Sequence, residues 1–430
     1  MRLMPYDFSD ELETVRMLTV TLAIVSIAIL AVTVSSTYAQ EQAEVARELF
    51  NLYPAYQVPE ITTRRFTQKE MLGWLKPLHE QRMFDMTPVG QSAEGRTIWL
   101  LKAGQGKTKV MMWSQMHGDE ATATMAIVDM MNFLGKRPDH RVAKAIREQL
   151  TLLLIPMLNP DGAQRFERRT AQLIDVNRDA LRLKTPEAQA LKKAWEAHRP
   201  EFGFNLHDQD PRTTVGNTKK VSAIALLAPA SDESRSDNHV RRPAKQVAAT
   251  FAAAMQLFIP GHVSKYDDTF EPRAFGDNIQ KWGTSTILVE SGGWPGDRNK
   301  MFLRKLNCVG FLTVLYAIAT NTYEQADLQL YEQLLPNTKY IYDLILRNAQ
   351  LKAANNISSI IVDIGINIDE ERDASTGTVN LVGKVTDIGD LSTFTSFEEV
   401  DLKGSSVEGV ITKIEQRLTM DEIRALSGKK

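Results

Sequence analysis

Four residues stand where metal chemistry could be done: His117 and Glu120 in His117-Gly118-Asp119-Glu120, His207 at the end of Phe202-Gly203-Phe204-Asn205-Leu206-His207, and Glu290 after Thr286-Ile287-Leu288-Val289. A His-x-x-Glu pair alone is weak, because an ordinary surface loop explains it. Its surroundings add weight: an apolar strand pattern, Val110 to Trp113, comes before it and a helical pattern starts near Ala121. Open α/β sheets gather their ligand-binding residues at the carboxyl ends of strands, and His207 and Glu290 occupy two more such ends. Two imidazoles and a carboxylate form the three-ligand set of a catalytic zinc, with a fourth position left for water. His117, Glu120 and His207 are therefore the expected ligands of one zinc ion per chain. A carboxylate ending a buried strand is costly unless it is paired or functional. Zinc lowers the pKa of bound water towards about 7, and Glu290 is the candidate to take its proton.

Between the two histidines lie Asn159-Pro160-Asp161-Gly162, then Arg165, Arg168 and Arg169, then Asp175-Val176-Asn177-Arg178-Asp179. The first is a tight-turn sequence. Taken alone, the arginines read as a solvated, ion-paired face. Beside a zinc they also offer one guanidinium for a developing oxyanion and another for a substrate carboxylate.

The elements that must position these residues alternate in character. Thr67 to His79 predicts a helix opened by a capping box of Thr67 and Glu70. Phe84 to Val89 and Thr97 to Leu101, joined by Ala93-Glu94-Gly95-Arg96, predict a hairpin. Apolar runs at Val110–Trp113, Leu152–Met157, Phe202–Leu206, Ala223–Leu227 and Thr286–Val289 are separated by amphipathic stretches such as Ala121–Leu134 and Gln246–Phe258. This alternation indicates an α/β domain with a parallel or mixed sheet. Asn299–Ala319 predicts a long closing helix, and Tyr323–Leu334 and Thr338–Ala353 predict two more. Ile360–Ile368 and Thr378–Ile388 then alternate apolar and polar residues, which suits a small β-rich module. The expected organisation is an N-terminal extension over 40–65, a catalytic domain over 66–325 and an accessory helical, then β-rich, domain over 326–430.

At 430 residues the chain is long enough for a large core plus an appendage. Its 51 basic and 53 acidic residues leave a net charge of -2, which gives no electrostatic footprint for a nucleic acid or an acidic membrane surface, so no nucleic-acid partner is expected. The single cysteine, Cys308, rules out a disulfide framework and a thiolate zinc cluster, so it is assigned to the core. Leu18 to Val34 is a largely apolar, uncharged run preceded by Arg16 and followed by the small-x-small Thr37-Tyr38-Ala39. It predicts a signal peptide over 1–39, a secreted or periplasmic protein and no stable membrane partner once the signal is cut. The alternative is an uncleaved N-terminal anchor. The stretch before Arg16 is long and acidic for a leader, which makes Met17 an alternative start.

The ordered set His117-x-x-Glu120, Asn159-Pro160-Asp161-Gly162, Arg168, Asp175-x-Asn177-Arg178, His207 and Glu290 resembles the zinc carboxypeptidase (funnelin) family in its bacterial secreted form, over Phe66 to Ala319. The resemblance implies a mixed, eight-stranded-type sheet flanked by helices, followed here by the C-terminal α+β appendage. It implies that Glu290 serves as general base and then general acid, that Arg168 polarises the scissile carbonyl, and that Asn177 and Arg178 hold the carboxylate of the released residue. Asp175 matches the position whose carboxylate orients a zinc-bound histidine, here His117. Tyr266 lies in the interval of the family's mobile tyrosine. Arg273-Ala274-Phe275-Gly276-Asp277 falls where the pocket for the released residue is built, and offers it both a cation, Arg273, and a carboxylate. The implied activity is hydrolysis of a C-terminal peptide bond in a peptide or cell-wall peptide. Alternatives on the same fold are a murein peptide amidase, a deacylase of small amino-acid conjugates, and a non-catalytic binding module. His79, His140, His198, His239 and His262 lack a carboxylate at metal spacing and are assigned to packing or surface.

Overall fold

The computed structural model describes residues 38–339, 341–352, 358–372 and 378–428. The expected leader lies outside them except for Tyr38 and Ala39, which begin a helix over 38–52 (α1). The Tyr38 side chain is buried, with its hydroxyl 2.8 Å from Thr250 Oγ1. The helix Gln68–Glu80 (α2) opens with the expected capping box, Thr67 Oγ1 accepting from Glu70 N–H and Glu70 Oε2 accepting from Thr67 N–H at 2.7 Å.

Nine strands follow, β1 (Asp85–Gln91), β2 (Thr97–Ala103), β3 (Thr108–Trp113), β4 (Leu150–Ile155), β5 (Phe202–Asp208), β6 (Thr214–Val215), β7 (Ile224–Leu227), β8 (Val263–Lys265) and β9 (Ser285–Ser291). All but β6 form one eight-stranded sheet in the order β1-β2-β4-β3-β5-β9-β7-β8. Its centre, β4-β3-β5-β9, is parallel, while β1, β2 and β7 bring antiparallel pairings, so the sheet is mixed as expected. The central strands are buried on both faces. Val110 and Met112 belong to one core cluster with the helices Thr122–Lys136 (α3), Arg241–Gln256 (α7) and Met301–Ala319 (α9). Met111 and Trp113 belong to a second cluster with the helices Pro186–His198 (α6) and Phe275–Lys281 (α8). Cover on both faces is why these strands read as unbroken apolar runs. Cys308, on α9, is buried in the first cluster.

The sequence pattern misassigned one long element. The segment predicted to be a helix over Thr338–Ala353 is the strand Ile341–Leu351. Leu344, Leu346 and Ala349 face one cluster, whereas Tyr342 and Ile345 face another. A register shift between Leu346 and Ala349, with Asn348 at φ 52°, adds a residue to the alternation. Burial on both faces plus a bulge mimics helical spacing. This strand lies in a five-stranded sheet with Ile360–Arg372, Val379–Gly389, Thr395–Asp401 and Arg417–Leu418. Tyr323–Leu334 resolves into the 3-10 turn Thr322–Gln325 and the one-turn helix Gln329–Glu332. Asn337–Thr338 pairs antiparallel with β6, so the chain stays on the first unit through that point.

Candidate metal centre

Three strand ends converge at one place. Strand β3 ends at Trp113, and the loop after it carries His117 and Glu120. Parallel pairing of β5 with β9 sets His207 directly beside Glu290. The His117 loop lies tightly on the Asn-Pro-Asp-Gly turn: a Cβ on Gly118 would sit 2.0 Å from Gly162 C. Glycine there is a packing requirement. Asn159 Oδ1 accepts from Gly162 N–H at 2.9 Å, so the turn also opens a short helix, Pro160–Arg165. Asp161 is fully buried, accepting from Ser92 Oγ at 2.6 Å, Glu94 N at 2.9 Å and Arg96 Nη1 at 2.6 Å.

His117, Glu120 and His207 are all buried, and one ligand atom from each lies within 4.8 Å of the others. Glu120 Oε1 is 2.7 Å from His117 Nδ1, Glu120 Oε2 is 2.7 Å from His207 Nδ1, and the two Nδ1 atoms approach to 3.2 Å. Two imidazole nitrogens facing each other across a carboxylate form a nest of lone pairs that calls for positive charge. Burial works against protonating His117, yet Glu120 and Asp175 together raise it to about 9. Glu120 is held well below the carboxylate range by both histidines despite its burial. For His207 burial prevails and its pKa is lowered. The donor set thus fits a divalent metal: nitrogen, nitrogen and oxygen converge, with a proton held where a cation would sit. The opposite nitrogen of His117, Nε2, lies 2.9 Å from Asp175 Oδ1, which fixes the ring as a carboxylate behind a ligand histidine does.

Arg168 spans the cluster, donating through Nη1 to Glu120 Oε1 at 2.9 Å and through Nη2 to Asp175 Oδ2 at 2.9 Å. Its side chain is 44% exposed, so it reaches the opening. A cavity of about 300 Å³ lies beside the cluster, lined among others by Arg168, Asn177, Arg178, Tyr266 and Glu290. The Phe275 N–H donates to Asn177 Oδ1 at 2.9 Å, which leaves the Nδ2 donor on the side of His207, 3.4 Å from its Nε2. Burial, followed by the charge on Glu120, pushes the Glu290 carboxyl well above the usual range. The charge on Glu290, with burial, pushes the Tyr266 phenol up to about 12.

Arg273 stands apart from this group. It is outside the cavity lining, 56% exposed, and its guanidinium is held by Glu271 through contacts of 2.9 and 2.8 Å. The carboxylates of Glu271 and Asp277 line the cavity instead. Burial raises Asp277 to about 6. Asn205 is also in the lining, and its buried Oδ1 has no hydrogen-bond partner. Asp208 and Lys300, 3.1 Å apart and both buried in side chain, were not foreseen either. Asp208's place after His207 was a usable signal; nothing local marks Lys300. His140 does have a carboxylate neighbour, Glu48, 3.0 Å from its Nε2, but one supplied from 92 residues away and outside any metal cluster.

A family model described as zinc carboxypeptidase matches residues 71–256. That stretch holds His117, Glu120, Arg168, Asp175, Asn177, Arg178 and His207, and ends before Tyr266 and Glu290. The chain is 26% identical over 128 residues to probable carboxypeptidase 2 of Arthroderma benhamiae, covering 29% of this chain and 24% of that protein. It is 24% identical over 207 residues to carboxypeptidase 2 of Trichophyton rubrum, covering 47% of this chain and 36% of the other. The alignments thus span about a quarter to a third of these relatives' length. A metallo-carboxypeptidase structure from Burkholderia cenocepacia superposes with a TM-score of 0.47 at 19% identity, over 60% of this chain and 70% of that one. Over residues 71–256 the chain is similar to the zinc carboxypeptidase family.

Proposed function

We propose that the protein hydrolyses the C-terminal bond of a peptide with the help of one zinc ion held by His117, Glu120 and His207. The observation that carries this reading is the convergence of that triangle, Glu290 and the Arg168–Asn177–Arg178 group on a single cavity. A zinc ion there would supply Lewis-acid chemistry, acidifying a water and polarising a carbonyl. Glu290 takes one proton from the water as its oxygen adds to the scissile carbonyl carbon. It then delivers that proton to the amide nitrogen as the C–N bond breaks, leaving a shortened peptide acid and a free amino acid. Arg168 meets the carbonyl oxygen as negative charge grows on it. Asn177 Nδ2 and the Arg178 guanidinium hold the carboxylate of the departing residue.

The cavity also favours a cationic side chain on that residue. Asp277 is a buried carboxylate, Asn205 Oδ1 a buried acceptor without a donor, and Arg273 is turned out onto Glu271. An ammonium or guanidinium suits either acceptor. Elemental analysis is expected to find one zinc per chain, lost on chelation and in His207→Ala. Peptides ending in lysine or arginine are expected to be shortened about tenfold faster than those ending in leucine. The same peptides with amidated C-termini should be at least about a hundredfold slower, since Arg178 then lacks its partner. Zinc-free protein after careful purification would sink the enzymatic reading, and equal cleavage of amidated peptides would remove the carboxylate clamp.

The uncharged run Leu18–Val34 supports export with cleavage after Ala39. Cutting there gives up the Tyr38–Thr250 hydrogen bond, although Thr250 Oγ1 keeps Gln246 O at 2.9 Å. N-terminal sequencing of exported protein is expected to start at Gln40; a start upstream of Leu18 contradicts processing.

A further inference from the structure

A second and larger cavity, about 830 Å³, runs between the catalytic unit and the C-terminal sheet. It is continuous with the first, because Glu120, Arg168, Asp208, Gln209 and Asp210 border both. Its size falls within the ~300–1,000 Å³ of small-molecule pockets. Half-buried aromatics face it from both units, Phe166 and Trp294 on one wall and Phe397 on the other. Part-buried ion pairs join the two walls. Arg212 bonds Asp343 at 2.9 Å and Asp369 at 2.5 Å, and Glu370 accepts from Arg64 at 3.0 Å and Arg65 at 2.5 Å. Arg65 in turn lies 3.9 Å over the Phe166 ring. These pairs bring the C-terminal sheet against the cleft as its far wall.

We propose that this cleft holds the part of an extended peptide that precedes the bond being cut, so that the C-terminal sheet makes the protein selective for longer substrates. The proposal rests on the carboxypeptidase reading above. With the released residue in the smaller cavity, the rest of the chain must leave the metal cluster on the other side, and the cleft is the cavity that borders Glu120 there. Trp294 on one wall and Phe397 on the other can take apolar or planar side chains in any order, while the Phe166 ring already carries the Arg65 guanidinium. Binding energy gathered from these remote residues is available to the reacting centre.

The test is a series of N-acylated peptides of two, four and six residues with a common C-terminal lysine, given to the full-length zinc-loaded protein. The expected result is a kcat/KM that rises about tenfold or more from dipeptide to hexapeptide. Phe397→Ala should cut the hexapeptide-to-dipeptide ratio at least about fivefold, and Arg298→Ala, at an exposed cleft side chain, about twofold. Thermal melting identifies any Phe397→Ala preparation that has misfolded, in which case Arg298→Ala decides. A ratio near one in the wild type, or one unmoved by the substitutions, overturns the cleft assignment while leaving the carboxypeptidase reading intact. Failure to shorten any of the peptides overturns both.

Discussion

Glu290→Gln is expected to lower kcat by about 10²–10⁴-fold while leaving zinc content unchanged. The reason is positional. Glu290 sits beside His207 across the β5–β9 ladder, next to the candidate ligand triangle of His117, Glu120 and His207 without being part of it. An amide keeps the shape and can neither take a proton from water nor return one to a leaving amine. The same change should stabilise the metal-free fold. Burial and the neighbouring Glu120 charge raise the folded pKa of Glu290, so the folded state holds this proton more tightly than the unfolded chain does. Unfolding free energy contributed by the group therefore falls as pH rises from the unfolded value, about 4.3, through the raised folded one. Glutamine carries no such penalty. Urea unfolding of chelator-treated protein should show no difference between the two forms below pH 4 and a more stable Glu290→Gln above it. A variant that turns over peptide at near wild-type rate removes Glu290 from the proton path. One that is inactive and less stable at neutral pH points instead to a packing role.

Which parts of this site could be read from the chain depended on how far each residue's signal reached. His117, Glu120, His207 and Glu290 were legible because each ends an apolar run or directly follows one, and a run covered on both faces is conspicuous. The order of those runs in the sheet was not, since β4 lies between β2 and β3 only through non-local pairing. Arg273 shows the limit at short range. The segment 273–277 offered a cation and a carboxylate, and which one turned inward was decided by Glu271, two residues upstream, capturing the guanidinium. The strand Ile341–Leu351 shows the limit of periodicity, where two-sided burial and a bulge produced helical spacing. The cleft between the units was beyond reach, because its walls meet through pairs such as Arg65–Glu370, 305 residues apart.

A separation of 175 residues likewise hides the pair with the largest expected effect on stability. Arg304 on α9 donates to both oxygens of Asp129 on α3 at 2.6 Å, with side chains 3% and 0% exposed. Each partner is also tied to the N-terminal segment. Arg304 donates to Ile61 O at 2.7 Å and Val58 O at 2.8 Å, while Asp129 accepts from Tyr53 OH at 2.5 Å and Val58 N at 2.8 Å. The segment read as an N-terminal extension is thus fastened by a buried charge pair whose remaining valences are filled by the segment's backbone and the Tyr53 hydroxyl. Asp129→Ala leaves a guanidinium buried without a counter-charge, and Arg304→Ala leaves a carboxylate and two carbonyls in the same state. Each is expected to cost about 3–5 kcal/mol. For a fold of this size that lowers Tm by roughly 4–8 °C. Replacing both at once, Asp129→Leu with Arg304→Met, should recover much of the loss, since the desolvation of two charges is removed along with their attraction. Amide exchange would locate the damage: Val58 N–H and its neighbours should lose protection first in the single variants. A loss below about 1 kcal/mol in both singles would mean that apolar contacts of Val45, Leu49 and Tyr56, each fully buried, hold the segment without the pair.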